Sequence, residues 1–299
     1  MLGFAASASA GGSNGAAPLN FLFLDADARP VAMGGAYVAV ASDANSTLYN
    51  PAGLAFLDGH EATFMHAEYF QGVTQEYSAL ALRGPIAGLP PNSGAGLMLN
   101  TVGFGDIQRT TLSNPRGTGL DSFGIRDWAL ALGVGKKLKW DWLGVGAAIK
   151  YLREDIDSVS AQAAAVDIGM RATLQSSLDV PLTFGVSLQN LGTKMRFQSN
   201  REDLPINAKF GAAYHFLNSG LLALDINQPR EGVLTINVGT EYVALKSVAL
   251  RVGYNGRNDT DTGITFGGGL TRRHFGFDYA FVPFGDLGNA HRFSLNYRW

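Results

Sequence analysis

The sequence predicts an all-β fold, a 14-stranded antiparallel transmembrane β-barrel with an N-terminal hatch or plug segment. Three observations lead there: a residue alternation of period two, a low charge content without any long apolar run, and a second strand face made of small residues. Charged residues are 16% of the 299, against about 25% in soluble proteins, while 46% are hydrophobic and 38 are glycine. No uninterrupted apolar run reaches the ~18–20 residues of a helical span, so a chain this apolar crosses a membrane with strands.

The alternation is clearest in Leu204–Leu217, where Ile206, Ala208, Phe210, Ala212, Tyr214 and Phe216 face one way and Asn207, Lys209, Gly211, Ala213 and His215 the other. Val248, Leu250, Val252 and Tyr254 oppose Ala249, Arg251, Gly253 and Asn255 in the same manner. In the last segment Phe293, Leu295, Tyr297 and Trp299 oppose Arg292, Ser294, Asn296 and Arg298. Fourteen such segments run from 60–69 through 74–84, 93–103, 124–136, 141–154, 161–175, 180–193, 204–217, 220–227, 233–243, 246–256, 262–271 and 274–283 to 289–299. An even count lets both ends of the barrel finish on one side.

The second face carries Ala129, Ala131, Gly133 and Gly135, or Thr265, Gly267, Gly269 and Thr271. A soluble two-sheet protein would have to expose such a face to water, and small, weakly polar residues suit a narrow, filled lumen better. The connections add direction. Those at Lys137–Trp140, Asn218–Ser219, Ala244–Leu245 and Arg272–Arg273 are tight, whereas Phe104–Phe123, Lys194–Asp203 and Arg257–Asp261 are longer. Outer-membrane barrels keep short turns in the periplasm and longer loops outside, which predicts that both termini are periplasmic. Pro85–Asn92 is long for a periplasmic turn and Phe70–Val73 short for an extracellular loop. Trp140, Trp142 and Trp299 fall at one rim, as interfacial anchors do, with Trp128 on the apolar face.

Residues 1–10, ending Ala8-Ser9-Ala10, read as the remnant of a signal peptide, with the mature chain starting near Gly11. Residues 11–59 are expected to form the hatch and 60–299 the barrel. The hatch segment lacks strand rhythm. Gly34-Gly35 permits close backbone approach, Ser42 or Asp43 offers a cap, and Asn50-Pro51 signals a helix start with proline in its first position.

Catalytic and metal chemistry finds no pattern. His60, His66, His215, His274 and His291 lack metal-ligand spacing, no cysteine is present, and no hydrolase or phosphate-loop motif occurs. Gly-x-Gly pairs at 133/135, 144/146 and 267/269 lie within strands, where lumen packing explains them. Glu154, Asp155 and Asp157 form an acidic cluster at a strand end, read as a solvated loop in preference to a calcium site. A net charge of −2 argues against nucleic acid as partner. The expectation is a non-enzymatic protein without cofactor or metal.

Three stretches carry a resemblance. They are Ala28-Arg29…Met33-Gly34-Gly35-Ala36 with Asn50-Pro51-Ala52-Gly53-Leu54, then Leu188-Gln189-Asn190-Leu191-Gly192 with Leu204-Pro205-Ile206-Asn207, and finally Asp278–Leu295. In these the chain resembles the PorV/PorQ proteins, relatives of the FadL-type transporters, although it is shorter, its loops are compact, and Trp299 stands where phenylalanine is usual. The resemblance implies a 14-stranded barrel with a hatch built on Arg29, Met33, Gly34, Gly35, Asn50, Pro51 and Ala52. It implies an accessory of type IX-like secretion or surface attachment, meeting a secretion translocon or other envelope proteins. The alternative it carries is FadL-like passive transport of hydrophobic small molecules. Outer-membrane lipid and the barrel assembly machinery are the further expected partners, with Phe293, Leu295, Tyr297 and Trp299 as the C-terminal assembly signal.

Overall fold

The computed structural model describes residues 19–299 apart from 87, 175–179, 198–199, 218 and 259–260. The expected leader at 1–10 and mature start near Gly11 lie outside the described residues.

Among the described residues the strands are β1 (Glu61–Glu68), β2 (Val73–Arg83), β3 (Ser93–Gln108), β4 (Ser122–Lys137), β5 (Leu143–Ile156), β6 (Val159–Thr173), β7 (Leu182–Gly192) and the short β8 (Met195–Phe197) and β9 (Asn200–Glu202). They continue with β10 (Asn207–Phe216), β11 (Gly220–Pro229), β12 (Thr235–Ala244), β13 (Val248–Asn255), β14 (Ile264–Arg272), β15 (Phe275–Pro283) and β16 (Asn289–Arg298). All but β8 and β9 form one closed antiparallel barrel of fourteen strands in chain order, sealed by β1 against β16. That seam runs from Glu61 opposite Arg298 to Glu68 opposite His291, and the Arg298 guanidinium bonds the Glu61 carboxylate at 3.0 Å.

The alternation places side chains as the sequence predicts. Leu250 and Leu295 are 60% and 53% exposed, while their neighbours Ala249, Arg251 and Ser294 are buried. An outward apolar face on strand after strand is what a hydrocarbon solvent demands, and the closed ladder leaves no sheet edge to face it.

Two connections differ from expectation. β3 and β4 run beyond their neighbours, so the loop spans 109–121 and not Phe104–Phe123. Their register slips there, from Phe104 opposite Ile125 to Ile107 opposite Phe123, and glycines 105 and 124 fall at the bulge. The loop after β7 is not irregular throughout. It holds the β8–β9 hairpin, which packs on β6 and buries Met195, with Leu204 buried beyond it.

The acidic cluster is divided. Glu154 faces the lumen and accepts the Leu19 amide at 3.3 Å, Asp155 pairs with Arg153, and Asp157 pairs with Arg109. Alternation at the end of β5 sets Glu154 apart from Asp155 and Asp157, which both line a cavity at the far rim.

Candidate functional site

The lumen and the hatch inside it are the candidate site. The described part of the hatch starts in the half of the barrel farthest from Trp299. Leu19 touches Glu154 near the far end of β5, the Phe23 carbonyl accepts from Arg257 at 2.7 Å, and Asp25 accepts from Asn255 at 3.0 Å. It then descends to the rim where the His60 amide meets the Trp299 carbonyl at 3.1 Å. The even strand count thus brings His60 and Trp299 to one rim, while the described hatch starts towards the other.

Local sequence explains each turn of this path. Asp27 caps the short helix α1 (Ala28–Ala32) by accepting the Arg29 amide, and its other oxygen takes the Thr63 hydroxyl at 2.6 Å. Gly34 and Gly35 follow with φ of +65° and +79°, and a side chain on Gly34 would collide with the β13 backbone at Tyr254. Asp43 does not cap the next helix, α2 (Ser46–Tyr49); its Oδ1 accepts the Asn45 amide two residues on, an Asx-type turn. Asn50 caps the 3₁₀ segment Pro51–Phe56 through the Ala52 amide, with Pro51 leading it, and its side-chain amide also donates to Val38 and Met170 carbonyls.

Two walls hold the hatch differently. On β3–β6 the Pro51–Phe56 backbone lies directly on strand glycines. A Cβ on Gly135 would stand 2.7 Å from the Ala55 amide, and one on Gly146 would land on the Pro51 carbonyl. On β11–β16 strand glycines again lie against the hatch, Gly239 on Met33 and Gly253 on Gly34, and charged groups are added. Arg29 makes a two-pronged bond to Glu241 at 2.8 and 2.9 Å and donates to the Tyr37 hydroxyl at 2.9 Å, while that hydroxyl bonds Asp43. Glu241 also accepts from Arg251 at 2.6 Å, and Arg251 reaches across Gly269 of β14 to Asp278, again at 2.6 Å. Asn296 completes the chain on Asp278 at 3.0 Å. Asp225 takes the Tyr37 and Val38 amides at 2.8 and 2.9 Å.

All seven expected hatch residues therefore lie in this lumen, but they act in two groups. Arg29 belongs to the charged clamp, while Met33, Gly34, Gly35, Asn50, Pro51 and Ala52 are packing and turn positions. The expectation of a lumen dominated by small, weakly polar residues holds for the glycines that seat Pro51–Phe56 and fails elsewhere: Asp127, Lys150, Asp167 and Arg171 are buried on β4–β6, as Glu241, Arg251 and Asp278 are on β12, β13 and β15. Glu241, Arg251 and Asp278 were missed, although each sits at an inward parity and Glu241 faces Arg251 directly across β12 and β13. The signal was a pair of opposite charges at inward positions on neighbouring strands.

The second quoted stretch also gains a place. Gln189 donates to the Leu48 and Tyr49 carbonyls of the hatch, and Asn190 donates to the Pro205 carbonyl beneath the β8–β9 loop. Asn190 receives Lys150 at 2.8 Å, which pairs with Asp167 at 2.6 Å, where β6 and β7 slip register.

At the far rim, the β3–β4 bulge opens a cavity of about 410 Å³. Thr74, Gly103 and Arg126 approach it from the outer face of the wall, and Phe104 and Ile125 from the inner face. Phe104 packs in turn against the apolar cluster that contains Leu19, Phe21, Val102, Leu152 and Met195. No group of three or more potential metal-binding side chains occurs among the described residues.

No protein-family model matches the sequence, and no curated protein matches it. The fold does match solved structures. A TodX monoaromatic hydrocarbon channel carrying a ΔS2 mutation superposes with a TM-score of 0.53 at 13% identity, covering 91% of this chain and 96% of its own. A ΔS2S3 mutant of the same channel gives 0.50 at 13% identity, covering 84% and 92%. At such identity the likeness is one of fold. This chain is a fourteen-stranded β-barrel of the outer-membrane type with its N-terminal segment folded into the lumen.

Proposed function

We propose that the protein is a non-enzymatic, passive conduit for hydrophobic small molecules in the outer membrane. The observation that carries this reading is the cavity at the β3–β4 bulge, which draws its lining from both faces of the wall and is separated by Phe104 from the apolar cluster around Leu19 and Phe21 on which that ring packs. An apolar solute moves from there along side chains that cost it no desolvation, and the charged clamp below stops water and ions. A hydrocarbon channel with the same overall fold supports the reading.

The test is flux of a monoaromatic such as toluene into vesicles containing the purified protein. Gly103→Trp and Gly124→Trp fill the cavity without touching the hatch clamp, and the expected result is loss of flux with barrel assembly intact. Undiminished flux in both variants would overturn the route.

We assign the Trp299 rim to the periplasm; the short connections 217–219, 245–247 and 273–274 on that side support this, and the longer 84–92 and 174–181 connections are exceptions. The outward Phe293, Leu295, Tyr297 and Trp299 are assigned to assembly. Deleting Tyr297–Trp299 is expected to abolish heat-modifiable, membrane-inserted protein, and normal insertion would refute that role.

A second reading, an accessory of type IX-like secretion, rests on the hatch being pinned by the unbroken Asp43–Tyr37–Arg29–Glu241–Arg251–Asp278 chain, which suits a barrel that binds partners without opening. Pull-down from native outer membranes distinguishes the two: a stoichiometric envelope partner without toluene flux favours the second.

A further inference from the structure

The cavity at the β3–β4 bulge carries charge as well as apolar surface, and a purely hydrophobic solute leaves that charge unused. Its lining includes Arg126, Asp155 and Asp157 beside Phe104, Phe123 and Ile125. Both carboxylates are already engaged. The Asp155 oxygens accept from Arg153 at 2.7–2.9 Å, and the Asp157 oxygens accept from Arg109 at 2.7 and 3.0 Å. Arg126 stands opposite Asp155 across β4 and β5, yet among the described residues it makes no hydrogen bond and no ion pair.

A second guanidinium lies behind the same stretch of wall. Thr74 and Gly103 line the cavity, and their strand neighbours Gln75 and Val102 are buried on the lumen side. Gln75 accepts from the Tyr69 hydroxyl at 2.8 Å, and that hydroxyl accepts from Arg292 at 2.8 Å. Arg292 is buried over the Tyr69 ring, 4.8 Å from its centre, and makes no ion pair among the described residues. Tyr69 belongs to the apolar cluster on which Phe104 packs. Arg292 is shut off from the cavity, so it contributes a field and not a bond.

An exposed guanidinium without a carboxylate, with a buried one behind it, favours a negative charge in the cavity. The shape favours a flat body. Phe104 and Phe123 present ring surface, and a Cβ on Gly72 or Gly105 would meet nothing within 4 Å, so the space of about 410 Å³ is open beside them. We propose that this cavity binds a monoaromatic carboxylate, with its ring against Phe104 and Phe123 and its carboxylate on Arg126. A guanidinium matches a carboxylate in a planar, two-pronged bond, and one free guanidinium suits one negative charge. The proposal rests on the reading of the cavity as the entrance of the conduit, and narrows its solute to a hydrophobic ring that carries an acid group.

The test is equilibrium dialysis of the purified barrel in nonionic micelles at neutral pH, against benzoate, benzamide and acetate, with empty micelles as the blank. Benzamide keeps the ring and loses the charge; acetate keeps the charge and loses the ring. Benzoate is expected to bind about tenfold more tightly than either. Its advantage over benzamide should vanish in Arg126→Gln and return in part in Arg126→Lys. Equal binding of benzoate and benzamide, acetate bound as well as benzoate, or a preference that survives Arg126→Gln would each overturn the proposal. On the unaltered protein, excess benzoate should slow toluene flux and the same excess of benzamide should not; equal slowing, or none, overturns it however the variants fold. Benzoate that fails to bind while toluene flux persists overturns this proposal and leaves the conduit standing, whereas loss of both overturns both.

Discussion

The β3–β6 wall and the β11–β16 wall grip the same hatch in different proportions of packing and charge. On the first, strand glycines let the Pro51–Phe56 backbone sit against the sheet, and the contact is close packing with few polar groups. On the second, α1 and the Gly34–Val38 turn also lie on strand glycines, Gly239, Gly253 and Gly267, and are tied in addition through Glu241, Arg251, Asp278 and Asp225. Packing of the first kind has no substitute, since separation leaves a void or admits water to an apolar surface. Hydrogen bonds of the second kind can be exchanged with water or a ligand, one by one. The difference teaches that the hatch is seated by packing and positioned by charge, and that its polar side is where it can yield.

Removing the centre of the clamp gives the largest expected effect. Glu241→Ala leaves the Arg29 and Arg251 guanidinium groups without their shared carboxylate, and losing one partner of a buried ion network costs about 3–5 kcal/mol. The shift in the urea midpoint of the folded, heat-modifiable form measures it. A loss below that seen for a single strand-glycine change would dissolve the contrast drawn here. On the packed wall, Gly146→Val overfills the seat of Pro51, with an expected cost of roughly 1–3 kcal/mol. Protease access to residues 50–56 should rise in that variant, and unchanged protection would show that the hatch is not seated there.

A finer test separates the two walls within one molecule. Asp225→Asn weakens the bonds from the Tyr37 and Val38 amides by about 1 kcal/mol. Hydrogen exchange should quicken at those two amides and stay slow at Ala52 and Gly53; uniform quickening would mean that the hatch moves as one body. The smallest effect belongs to the exposed far loop. The Arg109 guanidinium holds the Asp157 carboxyl below its ordinary value of 3.8. The pair is therefore complete at neutral pH and is lost only as the pH falls through that lowered value. Proteolysis of the 109–121 loop should be insensitive to pH from neutrality down to the ordinary carboxylate range and rise only in stronger acid; a rise near neutrality would count against the pairing.

Much of this architecture was readable beforehand because a strand's two faces repeat with period two. The Val248–Asn255 alternation placed Leu250 outward and Arg251 inward before any contact was known. Asn50-Pro51 was legible for a similar reason, since capping and a proline at the first position are local. The role of Asp27 as a cap was not, because its neighbours Ala26 and Ala28 give no helix signal. The role of Asp43 was misjudged because an Asx turn and a helix cap use the same side chain. Gln189 and Asn190 stood out as a motif, yet their contacts to Leu48, Tyr49 and Pro205 join residues 15 to 141 positions apart.

The sequence by itself determined the number of strands in the barrel and the face that residues such as Leu250 and Arg251 present, because alternation is a property of neighbouring residues, and an even count brings His60 and Trp299 to one rim. Only the tertiary structure decided what fills the lumen. Whether Arg251 spans a glycine to reach Asp278, and whether Leu19 meets Glu154 at the far end of the lumen, depend on strands brought together by closure. No local rule encodes that circle. It is the closing of β16 on β1 that turns fourteen alternating segments into two different walls.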